Sequence, residues 1–450
     1  MKLNTDLFNN LWENSQFSQQ SKIYTFASFA CLFIVSATSI VTEKFGGKFA
    51  QLSILITIIG LLIYNRSYLR SSIIYLLLAS ILVQLCSWQL SQQAAPELTE
   101  TSAKVHRLAA WFYMIPIAYL LGGSLKNTLL VWSIAFLSLA LSPWLSGHGW
   151  AEIVKGLAGS RSDLGLHNAQ HTSTFFACSL LAFICFYHRI TSNGRRLWRL
   201  IIWIAATTIC VIGLYISNSR AIWLGLAVSL PLLLLFALTI LFKSSNKRPY
   251  KISYRHLTMA VVLLSLLVFS NQTIKDGVSK RFKGEKETIV KILNGEHNFT
   301  RWDNSSIRFA TWLEAHEWIT KKPFFGWGGQ GRKLVVQNTE QLPNTYKNKN
   351  RIRHLHNSYL DTLVNYGFAG LTILLCLAGF LIYAAHYAWR RTTLPTDMLL
   401  FTYTFIAFWG VINSFESYMF YSSGKFIFGL IGGGILTLYW KAKYQPTPTD

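Results

Sequence analysis

Residues 367–388 read GFAGLTILLCLAGFLIYAAHYA, 22 positions without one Lys, Arg, Asp or Glu. A helix rises ~1.5 Å per residue, so about 20 apolar residues match the hydrocarbon thickness of a bilayer. Helix is also the form that satisfies every backbone polar group where water is absent. The same reading applies to twelve segments in all: 22–41, 48–64, 71–90, 107–123, 127–145, 172–188, 198–216, 220–242, 256–270, 367–388, 397–416 and 419–440. Composition agrees. Of 450 residues, 52% are hydrophobic and 14% charged, against roughly 25% charged in soluble domains. The expected fold is all-α, a polytopic membrane bundle of about twelve helices.

Lys and Arg number 42 against 19 Asp and Glu, a net charge of +23. In a soluble chain that balance would suggest nucleic acid. Here it reflects cytoplasmic Lys and Arg that orient the spans, and no nucleic-acid partner is expected. With the N-terminus inside, the inside segments hold eighteen Lys/Arg and the short outside loops seven, which places both termini in the cytoplasm. The polar first 21 residues lack the basic start and apolar run of a cleavable signal. The six cysteines, Cys31, Cys86, Cys178, Cys185, Cys210 and Cys376, lie in apolar runs with no Cys-x-x-Cys pair. They read as small core residues rather than disulfides or thiolate ligands.

One segment breaks the pattern. Residues 271–355 carry sixteen Lys/Arg and eight Asp/Glu, and a structureless loop of that length would be unusual. The expected organisation is spans one to nine in 1–270, a partly helical cap in 271–355, and spans ten to twelve in 356–450. Asn304-Ser305-Ser306 offers helix caps ahead of IRFATWLEAHEWITKK. On that helix Arg308, Trp312, Ala315 and Ile319 share one face, so the arginine points at something other than solvent.

Ionisable groups at a membrane boundary are costly, and several gather at the outer ends of these spans. Arg220 follows the tight Ser217-Asn218-Ser219 turn, Arg308 lies on the loop helix, His356-Asn357 re-enters the membrane, and Glu416 closes span eleven. Taken singly, an arginine at a span end is usually a snorkelling anchor and a histidine near a helix start a hydrogen-bonded structural group. Their convergence on one side raises the whole set. His167-x-x-x-His171 has helical ligand spacing but no clear third ligand, so no metal is expected. The glycines of Gly326-Trp-Gly-Gly-Gln-Gly331 fit neither a P-loop nor a dinucleotide fingerprint and read as a turn. Gly432-Gly433-Gly434 suggests close helix packing.

The stretch HNSYLDTLVNYGFAG, His356-Asn357 followed by nine residues, Gly367, two residues and Gly370, resembles the O-antigen ligase and polymerase superfamily of bacterial inner-membrane glycosyltransferases. Arg220-Ala-Ile-Trp-Leu224 and Arg308 with Trp312 and Pro323-Phe-Phe-Gly326-Trp-Gly328 are similar to two further features of that superfamily. The resemblance implies a glycosyltransferase C-type fold in the Gram-negative inner membrane, with a large periplasmic loop and a periplasmic active site. It implies an undecaprenyl-diphosphate-linked O-antigen donor, a lipid A–core acceptor, surrounding membrane lipids and no cofactor. His356 would be the general base, and Arg220 and Arg308 would hold the diphosphate through bidentate guanidinium forks. Asn357, Glu416, His354 and Arg161 are supporting candidates. An O-antigen polymerase and a protein O-oligosaccharyltransferase of the same superfamily stay open, as does a transporter of lipid-linked glycan.

Overall fold

The computed structural model describes residues 11–17, 21–166, 168–192, 196–243, 290–291, 294, 302, 304–339, 342 and 354–445. Among these residues there are helices and connections but no strand. The bundle is built from α1 (Lys22–Thr38), α2 (Glu43–Ile63), α3 (Ser72–Ala94), α4 (Met114–Leu121), α5 (Leu125–Ala140), α6 (Ala169–Cys185), α7 (Arg196–Ser217) and α8 (Arg220–Lys243). It continues with α9 (Asn304–Lys321), α10 (Gly331–Asn338), α11 (Ser358–Arg390), α12 (Thr396–Ile412) and α13 (Ser422–Tyr444).

Within α2, α3, α7, α8 and α11 lie five apolar stretches long enough to cross a membrane. Helices α1, α5, α6 and α12 are apolar but only 16 or 17 residues long. Leu55, Ile58 and Leu62 of α2, Leu78 and Leu82 of α3, and Leu197, Trp198 and Ile202 of α7 are all exposed. So wide an apolar surface suits hydrocarbon and not water.

The expected span at 107–123 is not a continuous helix. Short turns lead to α4, which has eight residues, all buried by protein. Gly122 and Gly123 stop it with φ of +65° and +75°, and the Trp111 indole N–H donates to the Met419 carbonyl at 2.7 Å. An apolar run can fill a protein core as readily as a bilayer, and periodicity does not separate the two. The ninth expected span, 256–270, lies outside the described residues, as does about half of the 271–355 segment.

Helix α13 runs through the middle, packed on α4, α5 and α11, while α8 lies along α12 and α3 along α11. The three-glycine stretch makes the first of these contacts possible. A Cβ on Gly433 would come within 2.5 Å of Ile117, and one on Gly434 within 2.5 Å of Trp132. Small residues let membrane helices approach closely, as the sequence suggested.

Helix α9 begins at Asn304 as expected, and with α10 it sits on the start of α11. Ala310, Ala315, Val335, Val336, Leu355 and Val364 form a small core of their own there. The Trp312 indole donates to the Leu355 carbonyl at 2.7 Å; of the expected face Ala315 is buried and Arg308, Trp312 and Ile319 are half-buried, while Ser306, Ala310 and Thr311 are buried beside it. Helix α11 breaks at Gly367, where φ is 61° and ψ −160°. At that break Phe368 N donates to Pro323 O at 2.7 Å and Ala369 N to Phe324 O at 3.0 Å. In return Trp327 N donates to Val364 O at 2.9 Å. The Pro323–Gly328 turn and the Gly367–Gly370 kink are therefore two halves of one joint. A Cβ on Gly367 would lie 2.3 Å from the Phe324 carbonyl carbon. Gly367→Ala should thus destabilise the protein by about 1–3 kcal/mol or more through backbone strain and displacement of that turn. Thermal unfolding in detergent should show a lowered midpoint; an unchanged midpoint would contradict the joint.

Candidate functional site

The first turn of α11 sets the site. The Asn357 side-chain oxygen accepts from Tyr359 N at 2.9 Å and Leu360 N at 3.1 Å, satisfying two donors that a helix start leaves open. Its carbonyl is thereby committed to capping. Ser358 ties this turn to the segment after α12. Its N–H donates to Asn413 O at 2.8 Å, and its hydroxyl contacts Asn413 Oδ1 at 2.6 Å and Glu416 O at 3.1 Å. His356 has a φ of +52°, a left-handed conformation uncommon for a residue with a Cβ.

That turn brings His354 and His356 onto one carboxylate. His356 Nδ1 is 3.1 Å from Glu416 Oε2, and His354 Nε2 is 3.1 Å from Glu416 Oε1. Glu416 Oε1 also accepts from Ser417 N at 2.9 Å, and the Tyr421 hydroxyl lies 3.1 Å from His354 Nδ1. Burial works against the Glu416 charge, but hydrogen bonds from the two imidazoles outweigh it and hold the carboxyl well below the usual carboxylate range. Burial lowers the His356 pKa further than Glu416 raises it, and His354 and Arg308 push the same way as burial. The pair is thus an ionised Glu416 and a neutral imidazole at neutral pH. A carboxylate accepting from Nδ1–H leaves the Nε2 lone pair as the basic position. The His356 side chain is 29% exposed and Glu416 3%, so the base faces outward and its partner does not.

Of the expected residues, His354, His356 and Glu416 come together, with Arg308 in electrostatic range of His356. Arg220 and Arg161 meet at a second place, the turn between α7 and α8. Arg161 Nε donates to Ser217 O at 3.1 Å, and Arg220 opens α8 after Asn218, whose φ is +37°. The first turns of α6 bridge the two places. Ser173 shares a hydrogen bond with Ser217 at 2.6 Å, while Thr174 bonds the Tyr418 hydroxyl at 2.7 Å. The two places also meet directly, since α8 packs on α12, where a Cβ on Gly225 would lie 2.8 Å from Ile412.

The sequence did not single out Tyr421, nor the Arg332–Asp361 ion pair of 2.9 Å, in which Asp361 is fully buried. Asp361 did carry a signal, an acid in the first turn of a membrane-edge helix that needs a cation. His171 packs on the Tyr421 ring at 4.8 Å and hydrogen-bonds Ser423. His167 lies outside the described residues. Among the described residues, His354, His356 and Glu416 form a group whose ligand atoms lie within 4.8 Å of one another, close enough to share a cation.

A family model described as O-antigen ligase matches residues 204–375. The superfamily resemblance is shown over this segment. It runs from within α7 into α11 and holds Arg220, Arg308, His356 and the joint at Gly367. An uncharacterized protein of Haemophilus influenzae is 25% identical over 162 residues, 36% of this chain and 37% of that protein. The chain thus aligns with little more than a third of that relative's length.

The hydrogen bond from His356 to Glu416 has a measurable consequence. Glu416→Gln removes the carboxylate that raises the imidazole's proton affinity, so the His356 pKa should fall further below its ordinary value. A nitrogen-resolved NMR titration reads it directly; an unchanged or raised pKa would contradict the pairing.

Proposed function

We propose that the chain transfers a glycan from an undecaprenyl-diphosphate-linked O-antigen donor to a sugar hydroxyl of lipid A–core, at the periplasmic face of the inner membrane. The observation that carries this reading is the neutral His356 held by ionised Glu416 with Arg308 in electrostatic range, all but Glu416 within the matched segment. The fold is read as glycosyltransferase C-type with about twelve spans and both termini cytoplasmic, supported by the Lys/Arg asymmetry of the loops.

Each residue then has a defined task. The acceptor hydroxyl gives its proton to His356 Nε2 as its oxygen attacks the anomeric carbon, and imidazolium forms beside Glu416. The new C–O bond forms opposite the breaking bond to the diphosphate, which inverts the anomeric centre. The electron pair leaves with the carrier diphosphate, whose growing charge Arg308 stabilises. Arg220, at the start of α8, holds the same diphosphate or its carrier end. Nothing in this step calls for a metal.

Purified protein in lipid, given the donor and lipid A–core with a chelator present, should form banded high-mass lipopolysaccharide. His356→Ala should slow transfer by about 10²–10⁴-fold, the usual contribution of a general base. Arg308→Lys should cost roughly 10²–10³-fold through the lost fork. Since the His356 pKa is lowered, the imidazole stays neutral to more acid pH. The rate should therefore decline only below the ordinary histidine value of about 6.5. Full activity in His356→Ala, or loss of activity with the chelator, would overturn the mechanism. Longer chains still on the carrier would mark a polymerase.

A further inference from the structure

Besides holding a base, the histidine cluster has the donor set and the spacing of a cation site. His354 Nε2 and His356 Nδ1 are 3.1 Å apart, and each lies 3.1 Å from an oxygen of one carboxylate, Glu416. Two N–H bonds thus converge on a single acceptor group with their nitrogens almost in contact. Zinc bonds of about 2.0–2.1 Å in a tetrahedron hold ligand atoms about 3.3 Å apart, so one ion fits where those two protons lie. Two imidazoles and a carboxylate suit zinc, whereas magnesium and calcium take oxygen ligands. Among the described residues, this is the one group of three such side chains whose ligand atoms come so close.

The surroundings support the ligands and leave a way in. The Ser417 amide fixes Glu416 Oε1 at 2.9 Å, and the Tyr421 hydroxyl lies 3.1 Å from His354 Nδ1, placed to accept that N–H once Nε2 carries the ion. The His356 side chain is 29% exposed and that of His354 14%, so the cluster is not sealed. Arg308, in electrostatic range of His356, opposes a second positive charge, which makes binding depend on the Glu416 carboxylate. The neighbouring cavity of about 550 Å³, which Arg107, Arg332 and Lys425 line, offers no carboxylate to draw the ion away.

A neutral imidazole has one proton for its two nitrogens. An ion on His356 Nδ1 moves that proton to Nε2, which then has no lone pair for an acceptor hydroxyl. His354 shifts its proton from Nε2 to Nδ1 in the same way, and no proton leaves the protein. We infer that His354, His356 and Glu416 form a zinc site whose occupation switches the base off. Binding stands on the geometry; its effect on transfer rests on the transfer reading.

Binding is tested without turnover. The full chain in phosphatidylcholine nanodiscs, stripped of metal, is titrated calorimetrically with zinc chloride and separately with magnesium chloride. Zinc should saturate the site and magnesium should not. Nitrogen-resolved NMR should show His356 Nε2 changing from a bare to a protonated nitrogen as zinc enters. His354→Gln, with unchanged thermal unfolding, should weaken zinc binding by about 100-fold or more, the upper end of what a supporting contact is worth. If that variant fails to fold, the His356 signal of the wild type decides. Undiminished binding by His354→Gln, or zinc that binds while the His356 signals stay in place, would overturn the inference. In the transfer assay, excess zinc should stop product formation and a chelator should restore it. Transfer at an equal or higher rate with the site filled would overturn the switch. Zinc binding as described, with no transfer even under chelator, would keep the site and remove the transfer reading.

Discussion

Backbone amides that leave a helix inside packed protein find no water, and this constraint fastens the loop to the bundle. Helix α11 breaks at Gly367, where the N–H groups of Phe368 and Ala369 find the carbonyls of Pro323 and Phe324 instead. The break is thus satisfied by a segment some forty residues earlier in sequence. That joint fixes α9 and α10 on the first turns of α11, and with them Arg308 and Arg332. Position at the site is therefore a by-product of backbone satisfaction.

Charge is handled by the same economy. Glu416 is almost wholly buried, yet it stays ionised because two imidazole N–H groups and the Ser417 amide converge on it. Ser358 secures the backbone on both sides of that carboxylate. The outcome is an imidazole oriented by a buried carboxylate while its own side chain stays partly exposed. Arg332 repeats the pattern with Asp361, a fully buried carboxylate answered by a half-buried guanidinium that also lines a cavity.

Much of this was legible in sequence. Uncharged runs such as 367–388 gave the helices, and the loop helix at Asn304 was set by its caps and its buried face. His356, Glu416 and Arg308 stood out because ionisable groups at a membrane edge need a purpose. The 107–123 run was legible as apolar, but not that its helix is broken near 110–113 and enclosed by protein. Asn357 was visible as a polar residue, but not as the cap of α11. Tyr421, the Arg332–Asp361 pair and the Arg107–Lys425 cavity were out of reach, because each joins segments whose contact is decided by packing. Arg107 and Lys425 are more than three hundred positions apart, and no local pattern links them.

A structure of the full chain with a non-hydrolysable polyprenyl-diphosphate sugar bound would be the most direct test. The diphosphate should lie against Arg308, with the anomeric carbon open on the side of His356 Nε2. A diphosphate seated away from Arg308, with the sugar turned away from His356, would contradict the assignment of the base.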